Sequence, residues 1–461
     1  MSKFEKFLIK AEETSQIIKN NIIANKNTII IGHKDTDGII SSSILAKSIL
    51  REKGRVTIRT LSSLTSDYIK QLKDSKYDFY IFTDIGSDLI EEFELRLKNK
   101  WFIIDHHKMK NEYLNHNNVF NSWHCDYDGN YEISSSGLSY FVSLSLNQLN
   151  QNLCFLPIVG AISDKQERGQ DRSLTGINNK IIDEAKENGF IGERNDLTLC
   201  NKENQPIHVA LSSSLNPYLP GITGNMSNAL KLLSSLDFKI KEKNMWRTIS
   251  NLTFDEKTML VKGIYDYIGY ENNDISSLFG TNYFSLTENQ YSDLYYVNHF
   301  SDLINCCAIM DKPSYAIILC MGDYGEALLN VKNVFLQCSQ ILINKLNLIL
   351  GDKTRVIDKG DLLLVICDNL LEDNTLNFLS SMIISIPYYN NKTVIVKNSN
   401  INGYDKLIIR QNNLSPNKNL LNLLNKFKSD ISIHGNDCVV SCIMKSDYYE
   451  TFIKNVEEVL I

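Results

Sequence analysis

The sequence predicts an α/β protein in which a parallel sheet flanked by helices is followed by a mostly helical insertion and a smaller C-terminal α/β domain. Two observations support this fold class: helix and strand periodicities alternate over residues 1–180, and longer helical stretches follow them. The length of 461 residues agrees, because such a chain usually forms two or three domains of roughly 100 to 200 residues. We place the domains at residues 1–180, 181–300 and 301–461.

The first predicted domain alternates between helix and strand. Apolar residues at helical spacing predict a helix over residues 4–22, and the β-branched run Thr28–Ile31 predicts a buried strand. Single helices separate the strands, which implies right-handed crossovers and a parallel sheet. Ligands bind at the carboxyl ends of such strands. The remaining predicted elements are helices at 39–53, 66–75 and 88–98 and strands at 56–61, 77–82 and 101–104.

The pattern changes after the first domain. A boundary is expected near residues 216–224, which contain two prolines and two glycines. The C-terminal part predicts helices at 300–309 and 332–350 and strands at 315–320 and 362–367.

The composition indicates a globular protein without a general affinity for nucleic acid. Lys and Arg number 48 and Asp and Glu number 54, so the net charge is −6 and any nucleic acid must bind to a local patch. Ten cysteines without a CxxC pair favour reduced thiols. Residues 1–10 do not read as a signal peptide, and no apolar run approaches the roughly 18 to 20 residues that span a bilayer. We expect a cytoplasmic protein with no membrane partner.

Residue types that bind metals follow the predicted strands. HKDTDG at 33–38, TDIG at 83–86 and DHH at 105–107 each follow a strand, and an apolar run at 156–162, also interpreted as a strand, leads into Asp164. Mixed imidazole and carboxylate ligands suit Mn²⁺ or a similar divalent ion. The set is large enough for two ions that share a carboxylate, and its members are His33, Asp35, Asp37, Asp84, His106 and Asp164.

Spacing favours a shared cavity for the first of these segments. Residues two apart in an extended loop point the same way, so His33, Asp35 and Asp37 can converge, and Gly38 allows a tight turn into the next helix. Each segment alone has a structural explanation, because DTDG is usually a turn and an isolated Asp is often a cap. All four segments at one edge of the sheet are much harder to explain in that way.

In order and spacing, these motifs resemble those of the DHH phosphoesterase superfamily, which includes RecJ exonucleases, oligoribonuclease-type enzymes, cyclic-dinucleotide phosphodiesterases and family II pyrophosphatases. The resemblance covers nearly the whole chain and implies a DHH domain at the N-terminus and a DHHA1-like domain at the C-terminus. Other segments resemble the archaeal RecJ-like branch, with its GINS-associated nucleases: SSSG at 134–137, GAISDKQERGQ at 160–170, LTGINNKII at 174–182, LNPYLPGITGN at 215–225 and INCCAIMDKPSYAIILCMGD at 304–323.

The resemblance implies a cofactor of two Mn²⁺ ions, with Mg²⁺ as the alternative metal. By resemblance, His33 and Asp35 would bind one ion, and Asp37, His106 and Asp164 would bind the other.

The resemblance also implies three catalytic residues. Asp84 would bridge the two ions, Asp105 would orient a histidine, and His107 would face the scissile phosphate. Two divalent ions would lower the pKa of a water and offset charge on the transition state.

The predicted substrate contacts are cationic side chains close to Asp164 in sequence or amides at a helix start or turn. Two of these contacts, Gly435 and Asn436, belong to the segment HGNDCVVS at 434–441. In this segment one glycine and the histidine of the family's GGHxxAAG-type loop are replaced. The predicted contacts are Ser135, Ser136, Gly137, Lys165, Arg168, Arg172, Gly435 and Asn436.

The leading functional hypothesis is a metal-dependent exonuclease for single-stranded DNA or RNA in archaeal replication or repair. The intact ligand set favours this enzyme. The altered C-terminal loop favours the main alternative, a structural subunit bound to GINS and the replicative helicase, with weak or no nuclease activity. The second alternative is a phosphodiesterase for nanoRNA or cyclic dinucleotides, which the inserted middle domain makes less attractive.

Overall fold

The computed structural model describes residues 1–199, 205–270, 278–372, 375–399, 403–412, 418–427 and 431–460. It contains two compact units: Met1–Arg194 with Asn282–Leu336, and Asn195–Thr281 with Gln337–Ile461. The units differ in extent from the three predicted domains, whose limits stay predictions.

Helices and strands alternate through the first part of the chain, as the sequence predicts. In chain order the elements are α1 (Lys3–Ile23), β1 (Asn27–His33), α2 (Thr36–Arg51), β2 (Arg55–Leu61), α3 (Ser66–Leu72), β3 (Phe79–Thr83), α4 (Ile90–Leu97), β4 (Trp101–Asp105), β5 (Val119–Asn121), α5 (Ser135–Leu146), α6 (Phe155–Ser163), α7 (Gly176–Glu187) and β6 (Ile191–Leu197). Strands β1 to β5 form one sheet in the order β2–β1–β3–β4–β5. Every neighbouring pair in it is parallel, which confirms the predicted fold class.

Helices cover both faces of this sheet. In β1, Ile30 packs in the core cluster that contains Phe7 of α1 and Ile44 of α2. Its neighbours Ile29 and Ile31 pack on the other face, among residues of α3 and α4. A strand buried on both faces has a continuous apolar sequence, which explains why this segment lacks alternation.

The later elements are α8 (Ile207–Ser213), α9 (Met226–Ser235), β7 (Lys241–Glu242), β8 (Met245–Trp246), α10 (Phe254–Ile268), β9 (Phe279–Ser285), α11 (Val297–Ile309), α12 (Pro313–Cys320), α13 (Glu326–Gly351), β10 (Val356–Asp358), β11 (Leu362–Ile366), α14 (Leu376–Ile384), β12 (Thr393–Ser399), β13 (Tyr404–Arg410), α15 (Leu420–Leu424), β14 (Ser432–Gly435), β15 (Val439–Lys445) and α16 (Tyr449–Leu460). The second unit contains a six-stranded sheet in the order β10–β11–β12–β13–β15–β14. Only β11 and β12 pair in parallel there among the described strands.

Two strand predictions are wrong. Residues 156–162 belong to helix α6, and residues 315–320 belong to helix α12. Both runs are apolar and short, and periodicity alone does not distinguish a buried helix from a buried strand. Pro313 at the start of α12 is a helix-start signal, because proline suits the first helical turn.

Helix α13 is an exception to the expectation that no apolar stretch reaches membrane-spanning length. Its most apolar window of 18 residues has a mean hydropathy of 1.3, and a third of that window is buried. Core helices of soluble proteins can have the same length and hydropathy, although they are mostly buried. The cytoplasmic location stays a prediction.

Candidate metal centre

Three neighbouring strands of the parallel sheet end at the same edge and carry the predicted motifs there. Gly32 of β1 lies beside Thr83 of β3, which in turn lies beside Ile104 of β4. The segments that follow these three residues therefore leave the sheet side by side. They begin with His33, Asp84 and Asp105 respectively.

Helix ends supply two further carboxylates. Asp37 lies in the first turn of α2, which Asp35 caps by accepting a 2.9 Å hydrogen bond from the Gly38 amide. Asp164 is the C-cap of α6, and so it reaches the site from a helix and not from a strand.

Asp84 lies between two histidines and is 2% exposed. Its Oδ2 is 3.5 Å from His33 Nδ1, and its Oδ1 is 3.3 Å from His106 Nε2. Each carboxylate oxygen thus faces a different histidine. This arrangement suits a bridging ligand.

The possible metal ligands form two groups of three, and Asp84 belongs to one of them. The ligand atoms of His33, Asp35 and Asp84 lie within 4.8 Å of one another, and those of Asp37, His106 and Asp164 do so too. The structure therefore brings all six predicted ligands together, grouped as the family resemblance implies. Which ion each residue binds stays a prediction.

The N-terminus of helix α5 holds Asp37. The amides of Ser135 and Ser136 donate to its two carboxylate oxygens at 2.8 and 3.1 Å. Gly137 donates its amide to Ser134 Oγ instead, at 3.4 Å. These are the residues whose amides the sequence assigned to a substrate phosphate, and in the structure they are buried and used within the protein.

The tandem histidines have different surroundings. His106 is buried and its Nδ1 donates to the Gly129 carbonyl at 2.6 Å, which leaves Nε2 directed at the carboxylates. His107 Nδ1 lies 2.8 Å from Asp105 Oδ1, as expected of a histidine oriented by that aspartate. The His107 side chain is 52% exposed, so it faces the solvent side of the site.

Crowded carboxylates give the site unusual electrostatics. Burial raises the pKa of Asp37, and the Asp84 carboxylate adds to this, so that the pKa reaches about 7. Burial and the charge of Asp37 also raise the pKa of Asp164 well above its usual range. Burial would raise the pKa of Asp84 as well, but its bonds to His106 and His33 hold that pKa well below the usual value.

The same acids change the pKa values of the three histidines. Burial lowers the pKa of each imidazole, yet the neighbouring carboxylates outweigh it and raise the pKa of His33, His106 and His107. In the metal-free protein the site therefore retains protons on both acids and imidazoles near neutral pH.

The residues present fit a pair of divalent cations. Asp164 Oδ2 is buried and receives no hydrogen bond, although His106 Nε2 lies 3.4 Å away. Carboxylate oxygens and imidazole nitrogens are suitable ligands for Mn²⁺, and carboxylates also suit Mg²⁺. A cation would offset the charge repulsion that raises the pKa values of Asp37 and Asp164.

The predicted cationic substrate contacts follow α6. Lys165 directly follows Asp164, the Arg168 guanidinium lies 5.0 Å from the centre of the Tyr131 ring, and Arg172 forms a 3.0 Å ion pair with Glu167. All three cations are partly exposed.

Gly435 is the last residue of β14 in the second unit, and Asn436 begins the turn to β15. Asn436 Oδ1 accepts hydrogen bonds of 2.9 Å from the amides of Cys438 and Val439. Gly435 adopts a φ of 146°, and a Cβ there would lie 2.1 Å from the Val439 carbonyl oxygen. The turn thus requires this glycine. Its role with substrate stays a prediction.

Sequence reasoning missed Arg410 at the end of β13. Its side chain is 6% exposed and donates to Ser380 Oγ at 3.1 Å and to Asn377 Oδ1 at 2.6 Å. No carboxylate of the described residues pairs with it, and burial lowers its pKa to about 10. The sequence signal that could have identified Arg410 is an arginine at the end of an apolar strand, in LIIR at 407–410.

Two segments of this chain match known domain families. Residues 27–157 match the N-terminal domain of the DHH family, and residues 199–278 match the DHH-CID domain. An uncharacterized protein of Methanocaldococcus jannaschii is 27% identical over 354 residues, which are 74% of this chain and 76% of that protein.

Solved structures share the fold at low sequence identity. RecJ from Thermus thermophilus, in complex with Mn²⁺, has a TM-score of 0.59 and 11% identity over 97% of this chain and 54% of that one. This chain therefore spans about half the length of that RecJ. CDC45 from Entamoeba histolytica has a TM-score of 0.62 and 11% identity over 98% of this chain and 99% of that one. The two likenesses establish a RecJ-like fold.

Proposed function

Because residues 27–157 are a DHH N-terminal domain and residues 199–278 a DHH-CID domain, this chain is a DHH-family protein with a RecJ-like fold, and we propose that it is a metal-dependent exonuclease for single-stranded DNA or RNA. In this proposal it uses two Mn²⁺ ions, with Mg²⁺ as the alternative, in archaeal DNA replication or repair. The M. jannaschii relative supports the archaeal setting.

One observation carries the proposal: Asp84 lies between His33 and His106, each of which belongs to a group of three side chains that could hold a metal ion. A protein that only held other subunits would not need this set. Burying so many acids together costs free energy without a cation to offset their charge.

The residues of the site have distinct chemical tasks in this proposal. When bound, two divalent ions supply the positive charge that offsets an anionic phosphodiester and lower the pKa of a water. Asp84 presents Oδ2 to His33 and Oδ1 to His106. His107, exposed and oriented by Asp105, donates a hydrogen bond to a nonbridging phosphate oxygen.

The substrate is held outside the metal ligands. Lys165, Arg168 and Arg172 provide positive charge next to Asp164, which suits the backbone of a single strand. Gly435 and Asn436 of the second unit are the other proposed substrate contacts.

A cleavage assay tests the proposal. Purified protein is incubated with end-labelled single-stranded DNA, single-stranded RNA and dinucleotides, in Mn²⁺ and in EDTA. We expect stepwise shortening of a single strand in Mn²⁺, none in EDTA, and none with Asp84→Ala. Equal amounts of intact substrate for the wild type and Asp84→Ala would refute an enzyme. Cleavage of dinucleotides alone would support a nanoRNA or cyclic-dinucleotide phosphodiesterase instead.

The second candidate function is a structural subunit bound to GINS and the replicative helicase. The similarity to CDC45 over nearly the whole of both chains favours it, as does the altered segment at 434–441. It predicts co-purification with GINS at physiological salt, independently of Asp84. A protein that stays monomeric in the presence of GINS would contradict this role, whereas binding and cleavage together would support both.

A further inference from the structure

Behind His106, on the side away from the carboxylates, lies a chain of buried amide side chains without a task in the chemistry above. The Gly129 carbonyl accepts from His106 Nδ1 at 2.6 Å and also from Gln166 Nε2 at 2.9 Å. Gln166 is fully buried and donates a second bond, of 3.2 Å, to the Ile133 carbonyl. Asn178, which is 1% exposed, donates from Nδ2 to Gln166 Oε1 at 2.7 Å.

The orientation of each amide in this chain is fixed by its partners. Main-chain carbonyls only accept hydrogen bonds, so the nitrogen of Gln166 must face Gly129 and Ile133. Its oxygen must then face Asn178, which presents its own nitrogen. A flip of either amide would set two donors or two acceptors against each other and leave buried polar groups unpaired, which is unfavourable.

The loop at residues 129–133 is held from two sides. The main-chain amide of Asn178 donates to the Glu132 carbonyl at 3.0 Å. On the other side Gly129 lies against the strand end, where a Cβ would be 1.8 Å from the His106 carbonyl oxygen. The Trp123 indole donates to that same oxygen at 3.0 Å. The Gly129 carbonyl therefore has little freedom to turn away from the imidazole.

We propose that Gln166, oriented by Asn178, is a positioning residue for the metal centre. It keeps the Gly129 carbonyl on His106 Nδ1, which fixes the imidazole ring with Nε2 3.3 Å from Asp84 Oδ1 and 3.4 Å from Asp164 Oδ2. This inference rests on the proposed metal-dependent function. Mutation of a residue that supports a metal ligand typically lowers the metal affinity by about 10- to 100-fold.

The test measures Mn²⁺ affinity in the full-length protein, by the electron paramagnetic resonance signal of free Mn²⁺. Gln166→Met keeps the size of the side chain and removes its polar atoms, and Asn178→Leu removes only the upstream donor. The matched control is Asn150→Leu, because Asn150 is also a fully buried amide and donates to the Ser143 carbonyl at 2.8 Å, without a contact to a predicted ligand. Thermal unfolding in EDTA measures the stability of each variant.

We expect Gln166→Met to weaken Mn²⁺ binding about 10-fold or more and Asn178→Leu to weaken it less. Asn150→Leu should lose comparable stability but bind Mn²⁺ like the wild type. Wild-type affinity in Gln166→Met, or an equal loss in Asn150→Leu, would overturn the inference and leave the proposed function intact. If Gln166→Met does not fold, wild-type affinity in Asn178→Leu would overturn it. A wild-type protein that binds no Mn²⁺ would instead refute the proposed function.

Discussion

The main-chain amide of Ser135 donates a 2.8 Å hydrogen bond to Asp37 Oδ2. Asp37 belongs to the helix after the first strand, whereas Ser135 begins a helix almost a hundred residues later. The partial positive charge at a helix N-terminus stabilises a carboxylate and fixes its direction. This pair therefore orients a predicted metal ligand without help from a metal.

The central position of Asp84 predicts the effect of its loss. Asp84→Asn preserves the shape of the side chain and removes the charge that both histidines face. We expect Mn²⁺ affinity to fall on the order of 100-fold or more. Because a ligand that binds only the folded state stabilises it, the Mn²⁺-dependent rise in unfolding temperature should disappear in this variant.

The control for Asp84→Asn is Asp352→Asn in the second unit. Asp352 is a partly exposed acid whose carboxylate accepts hydrogen bonds from Thr354. Its loss should leave the Mn²⁺-dependent shift unchanged. A full shift in Asp84→Asn, measured by calorimetry, would contradict the bridging role.

Gly160 on α6 predicts that the site can be damaged without removing a ligand. A Cβ at this position would lie 2.3 Å from Asp37 Oδ1 and 2.0 Å from Ser136 Oγ. Gly160→Ala should therefore displace Asp37 from the helix N-terminus and weaken Mn²⁺ binding, by about 10-fold if the shift resembles the loss of a supporting contact. Titration of Mn²⁺ into the variant measures the effect.

Gly351 provides the comparison, because a Cβ there meets no atom within 4 Å. Gly351→Ala should bind Mn²⁺ like the wild type. Equal Mn²⁺ affinities in the wild type, Gly160→Ala and Gly351→Ala would show that Asp37 has room to move. That result would contradict the tight packing between Gly160 and Asp37.

The pKa of Asp37 predicts that Mn²⁺ binding depends on pH. Burial, followed by the charge of Asp84, raises this pKa to about 7, so the metal-free site holds a proton there at lower pH. An ion that binds the carboxylate must displace the proton, and the contribution of Asp37 should weaken affinity up to about 10-fold per pH unit below 7. The raised pKa values of His33 and His106 act in the same direction.

Calorimetric titrations in buffers with different ionisation enthalpies count the released protons. Wild type at pH 6 should release at least about one proton per site. Asp37→Asn should release fewer. Affinity that is constant between pH 5.5 and 8, with no proton release, would contradict the raised pKa.

The sequence predicts the sheet edge well because each motif follows a strand that is buried on both faces. Ile29 to Ile31 could only be a core strand, and the direction of a parallel sheet brings His33, Asp84 and Asp105 together. Asp164 was predicted as a ligand although its segment was assigned to a strand. The ligand prediction depended only on the apolar run ending at Asp164, and a helix can deliver the same carboxylate.

The partners of the ligands were beyond sequence reasoning. The serines at 134–136 look like an ordinary helix start, and whether their amides face a substrate or Asp37 depends on how α5 packs beside α2. The bond between His106 and the Gly129 carbonyl joins residues in a loop without periodicity. Tertiary packing decides such contacts, and local patterns carry no signal for them.

Arg410 predicts a separation of binding from stability in the second unit. A buried guanidinium that pairs with no carboxylate of the described residues costs free energy, so Arg410→Met should leave the free energy of unfolding within about 1 kcal/mol or raise it. If the cation contacts substrate phosphate, the same change should weaken single-strand binding about 10-fold, because bonds from charged donors are worth roughly 1.5 to 3 kcal/mol. Fluorescence anisotropy with labelled single-stranded DNA and urea denaturation measure the two effects.

Arg355→Met is the control, since Arg355 is paired with Asp352 at 3.4 Å and its loss should not change binding. A large loss of stability with unchanged DNA affinity would make Arg410 a structural residue that is held by Ser380 and Asn377.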